Sequence, residues 1–319
     1  MSAPSKFDFP NGKRFAFTVV DDTDVATVEN IKPLYDLLAD LGFRTTKTVW
    51  PVGCPEGSPN FSTSETLDDE HYREFILDLQ RRGFEITWHG ATMETSSRER
   101  TLAALKRYYD VLGTYPRIHV NHSHNKENLY WGSGRVDVGI LRYLFGKFAS
   151  RPASYFSGHE ERSPYWWGDL CAKHVEYARN LTTNDINTAK FNPSTPYRDA
   201  ARPLVPWWFS SSDAEGVNEF NALIHPSHQD RLEREGGFCI VATHFGKGFV
   251  KDGVVNEVTR ERLTALARRP GWFPTTGELL DWLRVRREAD PHSDGRLPRA
   301  EWRRMQWRWA IDLGFRKLA

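Results

Sequence analysis

The sequence lacks several features that define common classes of protein. Its three cysteines, Cys54, Cys171 and Cys239, have no CxxC spacing, which excludes a disulfide framework and a zinc knuckle and is typical of a reducing compartment. No apolar run reaches the about 18 residues of a membrane-spanning helix, and the amino-terminal segment has no apolar core of a signal peptide. The net charge of +1 gives no reason to expect binding to nucleic acid. We therefore expect a cytoplasmic protein.

Aromatic residues, in contrast, are abundant. The chain contains 12 Trp, 11 Tyr and 19 Phe. Such rings can fill a protein core, and they can also lie against the apolar faces of pyranose sugars. The composition leaves both interpretations open for any single ring.

The order of strand and helix signals predicts the fold. Apolar runs that predict strands occur at residues 14–20, 45–49, 84–88, 117–121, 175–181 and 238–242. Helical spacing of apolar residues separates the first four of these runs. Because strands that alternate with helices pair in parallel, we expect a distorted (β/α) barrel, either closed or incomplete.

The predicted barrel domain spans residues 1–290. Within it, residues 150–170 and 191–213 are rich in Pro, Ser and aromatic residues and are predicted as long surface loops. Residues 291–319 are predicted as a basic, tryptophan-rich helical tail. On helical spacing, one face of the tail carries Trp302, Met305, Trp309 and Leu313, and other positions carry Arg303, Arg304, Arg308, Arg316 and Lys317. This apolar face either docks on the barrel or makes peripheral contact with the anionic inner membrane.

Polar residues follow the predicted strands at four separate places. They are Asp21 with Asp22, His89, His122 with His124, and His244. The carboxyl ends of barrel strands meet on one face, where the active sites of barrel enzymes lie. We therefore expect these side chains to come together.

The residue types at these four places favour metal-assisted hydrolysis. Adjacent carboxylates repel one another unless a cation or a proton separates them, and imidazoles from other strands would complete a site for Zn²⁺ or a similar ion. Such an ion polarises a carbonyl and lowers the pKa of bound water towards about 7. A further histidine could protonate a departing amine. The pattern predicts hydrolysis of an amide or an ester.

Three segments, in this order, resemble the motifs of the NodB-homology polysaccharide deacetylases. FTVVDDTD at 17–24 resembles the first motif, WHGATME at 88–94 the second, and VATHFGKGF at 241–249 the late motif with a catalytic histidine. The closing WFPTTGELLDWL is similar to the last strand and helix of the family, so the resemblance extends over about residues 14–286. It is strongest to bacterial members linked to surface-polysaccharide synthesis.

The resemblance implies a metal-dependent hydrolase that removes an N-acyl group, in the usual case N-acetyl, from an amino sugar. Matched position by position, Asp21 is implied as the catalytic base and His244 as the general acid. Asp22 and His89 are implied as ligands of a divalent metal, for which we expect zinc.

The third metal ligand is open. The family has its second metal-binding histidine where this chain has Met93, whose thioether is a poor ligand for such cations. Glu94, His122 and His124 are the candidates, with His122 as the first choice. The predicted substrate-binding residues are Asn121, His124 and Asp185.

Two other functions fit the same sequence. Because Met93 replaces a ligand, the chain could be a catalytically degenerate glycan-binding protein of the same fold. A glycosidase is the third hypothesis, which requires two carboxylic acids that flank the scissile bond.

Overall fold

The computed structural model describes residues 7–58, 63–122, 124–148, 151–290 and 293–318. Seven parallel strands form a closed barrel in the order of the sequence, and the last strand pairs with the first. At this closure Ala16 lies opposite Phe238, and Asp21 lies opposite Thr243. The predicted barrel is therefore confirmed, and it is closed rather than incomplete.

The barrel strands are β1 (Phe15–Asp21), β2 (Thr46–Val49), β3 (Glu85–Trp88), β4 (Ile118–His119), β5 (Tyr177–Thr183), β6 (Trp207–Asp213) and β7 (Phe238–Thr243). The chain continues through the hairpin strands β8 (Val250–Lys251) and β9 (Val254–Val255), and then through β10 (Gly271–Trp272), which pairs with β1.

The helices are α1 (Val28–Asp40), α2 (Glu70–Arg81), α3 (Arg98–Leu112), α4 (Gly139–Phe148), α5 (Gly168–His174), α6 (Thr188–Phe191), α7 (Val217–Leu223), α8 (Pro226–Glu235), α9 (Glu257–Ala267), α10 (Thr276–Glu288) and α11 (Arg299–Leu318). Local capping sets several of their ends. The Thr27 side chain accepts from the backbone N–H of Asn30 at the start of α1. Gly113 ends α3 in the left-handed conformation, with φ of 73°.

The side chains of β1 alternate between two cores. Phe15, Phe17 and Val19 pack between the sheet and the surrounding helices. Ala16 and Val20 belong to a second apolar cluster, which fills the barrel interior with residues of four other strands and leucines of α10. This alternation follows from the pleat of a strand that is buried on both faces.

Strand β6 corrects one prediction. Residues 191–213 were expected to form a surface loop, but residues 207–213 form a barrel strand, in which Ser210, Ser211 and Ser212 are fully buried. Hydrogen bonds offset the burial of two of these hydroxyls, because Ser210 Oγ accepts from Asn192 Nδ2 at 3.1 Å and Ser212 Oγ donates to the Asp185 carbonyl at 2.7 Å. The run of serines and tryptophans concealed the strand.

The carboxyl-terminal helix α11 docks on the barrel. Met305 and Trp309 are 1% and 2% exposed and pack in a cluster with residues of β5 and α6. Oε1 of Gln306 accepts hydrogen bonds from the backbone N–H groups of Asp137 and Val138, both at 2.9 Å. Much of the apolar face of the tail is therefore used within the chain.

The other side of α11 exposes Arg303, Arg304 and Trp307 to solvent. The remaining predicted tail residues, Leu313, Arg316 and Lys317, lie outside the described side chains. None of the helices in the described ranges combines the length and the apolar character needed to cross a membrane.

Candidate active-site cleft and metal centre

A cleft of about 920 Å³ opens at the carboxyl ends of the barrel strands. Loops after β1, β3, β4 and β7 contribute its polar lining. The predicted site residues in this lining are Asp22, His89, Asn121, His122, His124 and His244. Two others, Asp21 and Asp185, do not line the cleft. The structure therefore brings together most, but not all, of the side chains singled out in the sequence.

Asp24 lies among three imidazole rings in this cleft. Its Oδ1 is 3.5 Å from Nε2 of His89, and its Oδ2 is 3.5 Å from Nε2 of His122. Nε2 of His244 also lies 3.5 Å from Oδ2. One ligand atom each of Asp24, His89 and His122 lie within 4.8 Å of one another. These three residues form a candidate metal centre, which His244 contacts through Asp24.

Hydrogen bonds orient the three rings so that Nε2 faces Asp24. Nδ1 of each ring contacts an oxygen: Val120 O for His89 (2.9 Å), Glu215 O for His244 (2.8 Å) and Asn125 Oδ1 for His122 (3.2 Å). Because these oxygens only accept, Nδ1 carries the proton, and Nε2 of a neutral ring has the lone pair that binds a metal.

The donor set fits a divalent metal. Oδ1 of Asp24 is buried and accepts no hydrogen bond from the described part of the chain. The 3.5 Å between carboxylate oxygen and Nε2 is close to the about 3.3 Å that separates two ligands of tetrahedral zinc with bonds of about 2.0–2.1 Å. Burial lowers the pKa of His89, so this ring is neutral, as a ligand must be.

The charge of Asp24 dominates the electrostatics of the cluster. Burial alone would raise the pKa of Asp24, but the interaction with the three histidines outweighs it and holds the pKa far below the usual range. The negative charge of Asp24 in turn affects the pKa values of the neighbouring imidazoles. Burial lowers the pKa values of His122 and His244, but the Asp24 carboxylate outweighs burial and raises both. Asp24 is therefore a carboxylate at any physiological pH.

A strained turn aims Asp24 into the cleft. The next residue, Val25, has φ of 55°, which is unfavourable for a β-branched side chain. The turn is held by Ser64 Oγ, which accepts from the Val25 N–H at 2.8 Å, and by Asn30 Nδ2, which donates to the Val25 carbonyl at 2.9 Å. Such strain persists where neighbouring contacts enforce it, and it is frequent at functional sites.

Asp22 forms a bidentate ion pair with Arg179 of β5. The two guanidinium nitrogens lie 3.1 and 2.6 Å from the two carboxylate oxygens. Burial raises the pKa of Asp22, but the charge of Arg179 outweighs it, and the pKa is lowered overall. Asp22 is thus an ionised carboxylate on the wall of the cleft. Asp22 was predicted as a metal ligand, but the acid that forms a possible ligand group with the histidines is Asp24.

Asp21 lies behind the cleft, in the packed interior. Its side chain is 0% exposed and contacts Lys47 Nζ at 3.0 Å, Tyr35 Oη at 2.8 Å and the Phe245 N–H at 2.8 Å. Successive side chains of an extended strand point to opposite faces, so Asp21 and Asp22 cannot both face the cleft. The buried position of Asp21 does not match its predicted role as the base.

The predicted substrate-binding residues differ in their positions. Asn121 is buried at the cleft wall, where its Oδ1 accepts from Leu129 N at 3.0 Å. His124 is exposed at the rim. Asp185 lies elsewhere, because it forms ion pairs with Arg231 at 2.9 Å and with Arg308 at 3.1 Å. Asp185 therefore connects α8 and α11 rather than facing the cleft.

Met93 lines the cleft, but it is not part of the candidate metal centre. Its Sδ accepts from Thr63 Oγ1 at 3.1 Å. His122 reaches the cluster from the loop after β4 and supplies the third donor. The Trp50 ring packs beside both histidines, with ring centroids 4.9 Å from His89 and 5.3 Å from His122. Trp50 therefore packs against both imidazoles of the candidate metal centre.

Sequence reasoning assigned no role in the site to several residues that line the cleft, among them Asp24, Arg179, Arg135 and Trp309. Asp24 lies within the FTVVDDTD segment, so the motif itself contained the signal. A lone arginine within the strand segment YARNL was a weaker signal for Arg179. Nothing local distinguished Arg135.

Comparison with known proteins supports the fold. No profile of a known family matches the sequence, and no curated protein matches it. Solved structures do match. One is assigned to the polysaccharide deacetylases, from Mycobacterium smegmatis, with 12% identity, a TM-score of 0.50, and 93% of this chain and 99% of that chain covered. Puue allantoinase is another match, with 12% identity, a TM-score of 0.51, and 90% of this chain and 94% of that chain covered.

A further match from Pseudomonas aeruginosa PAO1 is also assigned to the polysaccharide deacetylases. It has 12% identity, a TM-score of 0.50 and coverage of 90% of this chain and 95% of that chain. At this level of identity the three likenesses show a shared fold, which is the (β/α) barrel expected from the alternation of strands and helices in the sequence.

Proposed function

We propose that this chain is a metal-dependent carbohydrate deacetylase that hydrolyses the N-acetyl group of an amino sugar. The observation that supports this most is the meeting of Asp24, His89 and His122 beside the ion pair of Asp22 and Arg179. In this proposal Asp24, not Asp22, is the acidic metal ligand, and Asp22, not Asp21, is the catalytic base.

A divalent metal held by Asp24, His89 and His122, with zinc favoured by the imidazole and carboxylate donors, would polarise the acyl carbonyl and lower the pKa of a bound water. Asp22, kept ionised by Arg179, accepts a proton from the attacking water. The water oxygen bonds to the acyl carbon, and the C–N bond then breaks. His244 donates its Nε2 proton to the departing amine.

The products of this reaction are a carboxylate and the free amine of the sugar. Proton transfer from Asp22 through solvent to His244 restores the starting state. The hydrogen bond from His244 Nδ1 to the Glu215 carbonyl, at 2.8 Å, keeps Nε2 directed into the cleft through this cycle. In this proposal the acid and the base are separate groups, His244 and Asp22, and both line the cleft that contains Asp24.

The substrate and its setting are part of the same proposal. Trp131, which is partly exposed, lines the cleft and could contact a pyranose ring. The motif resemblance favours a sugar of bacterial surface-polysaccharide synthesis, carried on a nucleotide or on a lipid at the inner membrane. The three unpaired cysteines are compatible with action in the cytoplasm.

Acyl release and metal content, measured on the same preparations, test this proposal. Wild type reconstituted with zinc should release acetate from N-acetylated amino sugars. D24N should lose both metal and activity. D22N should keep the metal and lower kcat by about 10²–10⁴. D40N, at an exposed position of α1, is the matched control and should behave as wild type.

Three results would contradict the proposal. Absence of metal after reconstitution would remove the metal centre. Glycan binding without acyl release would favour a binding protein of the same fold. Shortened glycans that retain their acyl groups would favour a glycosidase.

A further inference from the structure

Arg135 is a cleft residue to which the proposed reaction gives no role. It ends a short 3-10 helix, Gly132–Arg135. Its guanidinium carbon lies 3.8 Å from the ring centroid of Trp131 and 4.7 Å from that of Trp309, and all three residues line the cleft. A guanidinium stacked on aromatic faces is a cation–π arrangement, which leaves the hydrogen-bonding edge free for a ligand.

Arg135 has no carboxylate partner within the described ranges, and its Nε is buried without a hydrogen bond there. The arginines that repel it are both paired, Arg179 with Asp22 and Arg202 with Asp137. Burial and, after it, this repulsion lower the pKa of Arg135 to about 9, so the group stays charged at neutral pH. A partly buried charge without a counter-ion is destabilising, and an anion bound there would compensate it.

The aromatic wall around Arg135 is fixed in place. Trp309 is 2% exposed, and its ring stacks on Phe145 with centroids 4.7 Å apart and an interplanar angle of 14°. Because α11 supplies Trp309 and docks on the barrel, this helix forms part of the cleft. These contacts are all made within the chain, so ligand binding requires little ordering of this wall.

We propose that Arg135, stacked between Trp131 and Trp309, binds an anionic group of the substrate, so that the enzyme prefers N-acylated sugars that carry a carboxylate or a phosphate. This inference rests on the proposed deacetylase function and narrows its substrate class. Both anions accept two parallel hydrogen bonds from one guanidinium. A neutral sugar would leave the charge uncompensated, so the preference arises from discrimination against neutral substrates as well as from attraction of acidic ones.

Kinetics with three matched substrates test the preference: N-acetylglucosamine, N-acetylglucosamine 1-phosphate and N-acetylglucosaminuronic acid. For the better anionic sugar, kcat/KM should exceed that of the neutral sugar by about 10- to 100-fold, the value of a charged hydrogen-bonding pair. The arm with the higher value identifies the anion as phosphate or carboxylate. R135M should bring the ratio close to one, and R135K should restore part of it, because lysine keeps the charge but not the planar fork. R304M, on the exposed side of α11, should keep the wild-type ratio.

Calorimetric binding of glucuronate, glucose 1-phosphate and glucose separates this inference from the deacetylase proposal. Anion binding that R135M abolishes, in a protein that releases no acetate, would support the anion site and refute the deacetylase. Equal rates of acetate release from neutral and acidic sugars would overturn the inference and leave the deacetylase intact. Thermal unfolding of R135M and R135K identifies any variant that fails to fold, and wild type that binds neither anion would also overturn the inference.

Discussion

Replacement of Asp21 by Asn separates the structural role of this residue from the catalytic role implied by the motif. Asp21 and Lys47 form an ion pair at 3.0 Å in which both side chains are 0% exposed. In D21N the lysine keeps its charge but loses its counter-ion. We therefore expect a large loss of stability with a modest loss of activity.

The magnitude follows from the burial. Removal of one partner of a buried ion pair destabilises a protein by about 3–5 kcal/mol. An unfolding entropy of about 2.1 cal/mol/K per residue, over 319 residues, gives about 0.7 kcal/mol/K. The expected decrease in Tm is then about 4–8 °C. The double variant D21N/K47M should be less destabilised than D21N, because it leaves no buried charge without a partner.

Thermal unfolding and kcat should be measured for D21N, D21N/K47M, D22N and the control D40N. The folded fraction of D21N should retain kcat within about tenfold of wild type, whereas D22N should lose about 10²–10⁴. We expect some loss of kcat in D21N because Asp21 accepts a hydrogen bond from the N–H of Phe245. Phe245 follows His244 in the chain, so a change at Asp21 can disturb the position of that histidine. A D21N variant with wild-type stability and no activity would refute this reasoning and restore Asp21 as the base.

The remaining predictions concern His244 and the exposed side of α11. H244A should lower kcat by about 10²–10⁴ and keep its metal, with H71A on the exposed side of α2 as the control; loss of metal would instead make His244 a ligand. Wild type should float weakly with anionic vesicles at low salt, because basic residues near such a surface contribute about 1 kcal/mol each, and R303E/R304E should not float. Absence of wild-type flotation at low salt would remove the proposed membrane contact.

Much of the barrel could be predicted because its signals are local. Strands β1, β3 and β7 are apolar runs that end in polar residues, and the helices between them carry apolar residues at helical spacing. Strand β6 was not predicted because its polar serines are buried, and the hydroxyls of Ser210 and Ser212 find their hydrogen-bond partners in other segments of the chain. No local pattern reveals such partners.

The site was predictable as a group of residue types but not as a set of roles. The positions of His89, His122 and His244 at strand ends were sufficient to bring them into one cleft. The choice among Asp21, Asp22 and Asp24 depends on the end of β1 and on the turn at Val25, where φ is 55°. A shift of one residue exchanges the two faces of a strand, so the motif alone could not assign these acids.

Anomalous diffraction at the zinc edge, from crystals of zinc-reconstituted protein, would locate the metal and identify its ligands. We expect one ion bonded to Asp24 and to Nε2 of His89 and His122, at about 2.0–2.2 Å, with Asp22 still paired to Arg179. An ion bonded to Asp22 in place of Asp24, or no ion in the cleft of an active enzyme, would contradict this expectation.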